Sequence, residues 1–369
     1  MTAARVHTTL TWCFLVLALL SAGAVPAAAF DHVAVAKRAL EKHILPGYAR
    51  FDVAAQVFAD KAGALCRAPS QATLAETRDA AREALLAWGR IEHVRFGPIT
   101  EQQRLDRLLF YPDPRGFARK QIARMLRRHD EGDLAPDKLA AASVAVQGFT
   151  AVDRVLFGKG SDALATLSEA PSFRCRYVKA LADGIAQIAA DTLAAWQGPF
   201  KQAWLTPGAG NRAFLTPSET SQALLRAYVT ELEVVRLQRL APVLSMEAKA
   251  GKDEPLLPMS GLGVQYLLAN IEGIRDLLTA SGFTDPALVE DEKAQSAMSI
   301  LGSVVTDLGF ALRSGQSAIE VAPDVFASAK ARAKLAPMVY SLKNAEETGT
   351  AALGTLTGLA LGFNSLDGD

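Results

Sequence analysis

From residue 32 onward the apolar residues recur at spacings of three and four, and the strict alternation of a half-buried strand is scarce. Val35, Ala39, Leu40 and Ile44 form one such series, and Phe51, Ala54, Val57, Phe58 and Ala62 continue it. A chain patterned this way buries one stripe per helix against other helices, so the fold class it predicts is all-α. Glycine and proline divide the pattern. Pro46-Gly47 predicts a kink or break within residues 32–65. Ser70 is placed to cap a helix over 70–96, which Gly97-Pro98 would stop. Residues 99–114 read as a loop and 115–129 as a short helix. Residues 136–157 read as a helix with Pro136 in its first turn, and 168–196 as a long helix. Residues 197–216 read as a crossing, after which the scheme repeats: a helix over 216–245, a Gly/Pro/Lys-rich loop over 248–263, and helices over 264–281, 285–313 and 324–362. Gly315 and Pro323 are expected to bound the last gap. This is the arithmetic of two up-down helical bundles of about four helices each, over 30–200 and 201–369, with a single elongated all-α domain as the alternative.

Residues 1–29 are expected to lie outside that fold. Arg5 precedes the apolar run LTWCFLVLALL (10–20), and Ala27, Ala28 and Ala29 offer small side chains for cleavage before Phe30. That is the three-part pattern of a secretory signal peptide. The run is shorter than the roughly 20 residues a membrane-spanning helix needs. Cys13 sits inside the run rather than at the junction, so no lipid-attachment cysteine is seen there. The expected product is a soluble exported chain, periplasmic in location, with no transmembrane segment after signal removal.

Charge excludes one class of partner. Lysine plus arginine and aspartate plus glutamate number 39 each, with no basic block, so no nucleic-acid partner is indicated. Cys66 and Cys175 remain beyond the signal. In an oxidising compartment an isolated pair is a disulfide candidate, the alternative being two buried thiols. A CxxC redox motif and a cysteine zinc cluster are excluded by count and spacing.

Three blocks concentrate polar groups. AWGRIEHVRFGP (87–98) sets Arg90, Glu92, His93 and Arg95 beside Trp88, Ile91 and Phe96. RLLFYPDPRG (107–116) holds Tyr111, Asp113 and Arg115 in a proline-framed loop. VAVQGFTAVDRVLFG (144–158) contains Gly148, Thr150 and Asp153 at the spacing G-x-T-x-x-D. On a helix Thr150 and Asp153 share a face, and Gly148 lets a backbone or ligand approach closely. Each block also has a plainer reading: aromatic core, a solvated charged face, or tight helix packing. The sequence has no HExxH, G-x-S-x-G, P-loop, dinucleotide loop or CxxCH. Only His32, His43, His93 and His129 lie beyond residue 29, so a several-histidine site would need nearly all of them. Carboxylates could still hold a hard cation.

In their order, these three blocks resemble the imelysin-like family of bacterial periplasmic proteins, and most closely its branch of predicted periplasmic lipoproteins. RCRYVKALA (174–182) and RLQRLAP (236–242) fall where that resemblance expects them. The resemblance implies an all-helical fold of two bundles, with the functional surface near their junction. It also implies relatives that are metal-dependent, insulin-cleaving peptidases and others linked to iron uptake. The family motif G-x-H-x-x-E is matched here by Gly148, Thr150 and Asp153, with threonine for histidine and aspartate for glutamate. Threonine cannot replace imidazole as a ligand or as a base near neutral pH.

The reading that follows is a non-catalytic binding protein. Its candidate ligand-binding residues are Arg90, His93, Arg95, Tyr111, Asp113, Gly148, Thr150 and Asp153, with Asp153 and His93 as candidate metal ligands for iron or zinc. Its partner would be a small ligand, a metal ion or an envelope protein. The alternatives are an imelysin-type metallopeptidase and an envelope interaction module using residues 348–361.

Overall fold

The computed structural model describes residues 30–167, 170–244, 254–289 and 291–360. The expected signal peptide, 1–29, lies outside the described residues, as does most of the loop start at 248–253.

Every element among the described residues is helical, so the fold is all-α. Helix α1 (His32–Ala39) runs through a π-helical turn, Leu40–Ile44, into α2 (Leu45–Arg67). There follow α3 (Gln71–Gly89), α4 (Arg104–Leu108), α5 (Phe117–Arg128), α6 (Pro136–Ala141), α7 (Gly148–Leu156), α8 (Phe173–Gln197) and α9 (Pro199–Leu205). Helix α10 (Pro217–Glu233) runs through a second π-helical turn, Val234–Leu240, into α11 (Ala241–Leu244). The chain continues with α12 (Gly263–Ala280), α13 (Glu292–Val321), α14 (Ala329–Ala333) and α15 (Ala336–Thr357).

In the first half α2 packs against α3 and α8, with α7 laid on α8. In the second half α13 packs along α15 and α12, and α10 along α15. The halves meet where α12 packs on α3 and where α1 packs on α10, so the first helix lies on partners from beyond residue 200. Trp204 strengthens this join by donating its indole N–H to the Ala36 carbonyl at 2.8 Å. Residues 348–357 belong to α15, whose Gly349 lies flush against the Tyr228 hydroxyl. Helix α13 is the one described helix long and apolar enough to cross a membrane, and it packs along α15 and α12.

Several boundaries differ from the sequence reading, each for a local reason. Pro46 neither breaks nor ends the first helix. Proline lacks the amide that an α-helix needs four residues on. Here the turn before it widens to π, with the Leu45 amide bonded to the Leu40 carbonyl. The second π-turn precedes Pro242 in the same way. The helix capped by Ser70 stops at Gly89, not Phe96, where the Ile91 and Glu92 amides both turn back to the Trp88 carbonyl; Gly89 itself packs against Tyr266 and Ala269 of α12. Residues expected as one helix over 136–157 form α6, a short 3-10 turn and α7, because Gly148 takes a left-handed φ of +58°. Gly315 does not bound a gap; it lies inside α13, with Leu268 packed where a side chain would be.

The disulfide is formed. Cys66 and Cys175 join the end of α2 to the start of α8, with their Cα atoms 5.6 Å apart.

Candidate functional site

The junction of the two halves is built around a charge. Where α3 ends, Gly273 of α12 lies against the Arg90 carbonyl so closely that a Cβ would sit 2.2 Å from its oxygen. The chain then turns tightly, with the Ile91 and Glu92 amides both bonded to the Trp88 carbonyl at 2.9 Å. This turn carries Glu92 inward until it is 2 % exposed. Arg239, on the second π-turn, meets it with both guanidinium nitrogens: Nη2 to Oε1 at 2.6 Å and Nη1 to Oε2 at 2.9 Å. Tyr266 donates its hydroxyl to Oε2 at 2.6 Å, and the Asn270 amide donates to the same oxygen at 3.1 Å. Asn270 in turn accepts from Arg239 Nη1 at 2.8 Å.

A second carboxylate, Glu231, is fully buried beside this pair. Its contacts are longer: 3.4 Å from Arg239 and 3.3 Å from Arg95. Arg95 also reaches Glu92 at 3.4 Å. The asymmetry separates the two acids. Burial pushes Glu92 up, but Arg239 and Arg95 outweigh it and hold the carboxyl at about 2. Burial and repulsion from Glu92 push Glu231 up to about 7. Arg239 is driven above its ordinary value by the two carboxylates, against the effect of its own burial.

Next to this cluster His93 meets His43, which sits on the first π-turn, with Nε2 to Nε2 at 2.7 Å. Burial lowers both imidazoles, His43 to about 3 and His93 well below its ordinary range, with Arg50 acting on His43, and His43 and Arg95 acting on His93. Both rings are therefore neutral, and one nitrogen donates while the other accepts. Each π-turn thus delivers one side chain, His43 or Arg239, to the junction.

The two histidines make an acid-stability prediction. Their protons bind more weakly in the folded chain than in the unfolded one, so the stability they confer is complete above about pH 6.5. It is lost as pH falls through about 3 for His43, and as pH falls well below the ordinary imidazole range for His93. Glu231 acts oppositely between about 4.5 and 7, but one carboxyl opposes two imidazoles. Urea unfolding is expected to show the free energy falling by several kcal/mol from pH 6.5 to pH 4. Constant stability across that range would refute neutral burial of the pair.

The eight candidate residues fall into two groups. Arg90, His93 and Arg95 lie at the junction. Arg90 is spent on an ion pair with Glu272 across to α12, at 2.7 Å. Tyr111, Asp113, Thr150 and Asp153 gather against the loop at 254–260, while Gly148 lies against residues 107–108 and lines the cavity beside α8. Each has a bonding or packing role. A Cβ on Gly148 would sit 2.2 Å from the Arg107 carbonyl oxygen and 2.3 Å from that of Leu108. The Thr150 hydroxyl accepts from the Phe110 amide at 3.0 Å and donates to the Phe110 carbonyl at 3.1 Å. The buried Asp153 carboxylate accepts from the amides of Met259 at 3.0 Å and Ser260 at 2.9 Å, and from the Ser260 hydroxyl at 2.6 Å. Burial raises its carboxyl against these bonds. Asp113 caps α5 through the amides of Phe117 and Ala118, both at 2.8 Å. Tyr111 donates its hydroxyl to the Glu254 carbonyl at 3.5 Å, and Arg154 pairs with the Glu254 side chain. The recess that Tyr111, Asp113, Thr150 and Asp153 line has a volume of about 30 Å³, room for no more than a water or two.

Among the described residues no group of three or more His, Cys, Asp or Glu side chains is placed to hold a metal ion. His93 is bonded to His43, and Asp153 is bonded to the 259–260 backbone. The sequence reading missed His43, Glu231, Arg239, Tyr266 and Asn270 as members of the junction. The one available signal was Arg239, a buried-type cation in the apolar RLQRLAP stretch; the others read as ordinary helix positions.

Known proteins share this arrangement of helices. A solved imelysin-like protein from Psychrobacter arcticum 273-4 superposes with a TM-score of 0.70 at 19% identity, covering 91% of this chain and 99% of that one. A protein described as an iron-regulated protein A precursor, from Parabacteroides distasonis ATCC 8503, superposes with a TM-score of 0.69 at 14% identity, covering 91% and 96%. No curated protein matches significantly. The family model for imelysin (Peptidase_M75) matches residues 44–308, which include the second π-turn, the buried acid pair and the G-x-T-x-x-D helix; the chain belongs to the imelysin family.

Proposed function

We propose that this protein is an exported, periplasmic member of the imelysin family that binds its target without cleaving it. The observation that carries this reading is the state of the motif helix α7. Thr150 closes a two-way bond with the Phe110 backbone, and Asp153 accepts three hydrogen bonds from residues 259–260. Side chains committed in this way, Thr150 within the first half and Asp153 across to the second, are not presented to a substrate or to a water that could attack one. Export is supported by the leader pattern of residues 1–29 and by the Cys66–Cys175 bridge, since structural disulfides persist in oxidising compartments. A link to iron handling draws its support from the solved relative described as iron-regulated.

The test uses mature protein purified from the periplasm without a metal-affinity tag, as wild type and Asp153→Asn. Bound metal is measured by elemental mass spectrometry and peptide cleavage with and without chelator. We expect no chelator-sensitive cleavage by either protein, and a loss of about 1–3 kcal/mol in the variant from weakened bonds to the 259–260 backbone. Near-stoichiometric iron or zinc that disappears in the variant, together with chelator-sensitive cleavage, would overturn the reading in favour of a metallopeptidase. A gene whose expression does not respond to iron limitation would remove the iron link alone.

A further inference from the structure

We infer that the cavity between α6 and α8 is a binding site for a small amphiphilic carboxylate, an apolar body carrying one negative charge. The site is separate from the junction; Gln147 and Gly148 at the start of α7 line it, apart from the recess that Tyr111, Thr150 and Asp153 line, and the inference goes beyond the binding role proposed above. The cavity has a volume of about 610 Å³, within the range of small-molecule sites. One wall is the face of α8 that carries Ala180, Gly184 and Ile188; the other is formed by Leu134 and Leu139.

Charge defines the polar end. Four of the ionic side chains around the cavity pair off. Arg176 donates Nε to Glu131 at 2.7 Å, and Lys179 meets Asp183 at 2.5 Å. Arg107, which lines the cavity beside Gln147 and Gly148, forms no ion pair among the described residues. Its Nε donates to the buried Gln147 side-chain oxygen at 2.9 Å. Gln147 is itself fixed by donating its amide to the Ala142 carbonyl at 2.8 Å. Asp191, whose field reaches Arg107, lies 4.0 Å from Arg104 and accepts from Gln187 at 2.8 Å. The cavity therefore holds one excess positive charge, on a guanidinium oriented through Nε with its two terminal nitrogens uncommitted. A planar fork of this kind matches a carboxylate.

Gly184 supplies an independent observation. A glycine inside a long helix weakens it and usually has a packing reason. Here a Cβ would meet nothing within 4 Å. No neighbour needs the close approach; what the missing side chain preserves is the open volume beside Ala180 and Ile188.

The experiment is equilibrium dialysis of the mature, oxidised protein against decanoate, with decanol and decylamine as uncharged and cationic matches. Saturable one-to-one binding of decanoate is expected, about tenfold or more tighter than decanol, with decylamine weaker still. Arg107→Gln should reduce decanoate to the level of decanol. Gly184→Leu should abolish binding while leaving the melting temperature equal or higher, because leucine fills open space and favours the helix. Absence of saturable decanoate binding, equal binding of decylamine, or full binding by folded Gly184→Leu would each overturn the assignment. None of these outcomes bears on peptide cleavage, so this inference and the functional proposal fail separately.

Discussion

Arg239→Ala is expected to destabilise the protein by about 3–5 kcal/mol, measured by urea unfolding at neutral pH. The arginine is 2 % exposed and is the cation that closes on both oxygens of Glu92 and reaches Glu231. Removing it leaves two carboxylates in a site that water does not reach, with Arg95 the remaining cation at 3.3–3.4 Å from each. An uncompensated buried charge costs far more than the pair contributed, because desolvation is no longer offset. The damage should also appear as a protonation change. Without Arg239 the Glu92 carboxyl rises from about 2 towards the neutral range. The unfolding free energy of the variant should therefore recover part of the loss on mild acidification, relative to wild type. The triple variant Glu92→Gln, Glu231→Gln, Arg239→Met should be markedly more stable than Arg239→Ala alone. A cost below about 1 kcal/mol for Arg239→Ala would mean that the cluster is hydrated in solution and does not clamp the junction.

The second large effect is expected from the disulfide. Cys66→Ser with Cys175→Ser, or reduction of the wild type, should lower the unfolding free energy by about 4–5 kcal/mol, and less if the reduced unfolded chain stays compact. The bridge spans a sequence separation of 109 residues, and the entropy removed from the unfolded chain grows with the logarithm of that length. The folded state should change little, because α2 and α8 pack along each other independently of the bond. Circular dichroism of reduced and oxidised protein should therefore overlay below the transition, while the urea midpoints separate. Coincident midpoints would show that the unfolded chain keeps these two segments close without the bond, so that the bridge restricts it no further.

The two predictions act on different joints. The bridge strengthens the first half, where α2 and α8 are already neighbours. The Glu92–Arg239 pair joins residues 147 positions apart and ties the first half to the second. Asp153 makes a third tie, holding the loop before α12 from the end of α7. Asp153 thus contributes to the tie between halves, its carboxylate bonded to two backbone amides.

The helical class was legible in the residues, because the three-and-four spacing of apolar side chains is a local property that any helix must satisfy. The same holds for the cap at Ser70, which does close on Thr73, and for the shared face of Thr150 and Asp153 on α7. The disulfide was legible as a candidate, because the two cysteines beyond residue 29 leave only one pairing. What no local rule carried was the fate of the polar residues. Glu92 and Glu231 look alike in the sequence, yet one sits near 2 and the other near 7, because a single guanidinium faces the first squarely and the second at longer range. His43 and Arg239 reach the junction only because two prolines widen the preceding turns and rotate those side chains off the ordinary helical face. The helix boundary at Gly148 was likewise set by a left-handed backbone and by the 107–108 carbonyls lying where a side chain would stand. Periodicity and punctuation act over a few residues and so are written in the chain; protonation, pairing and the cavity beside α8 depend on which distant groups share a buried space, and that is set only when the helices pack.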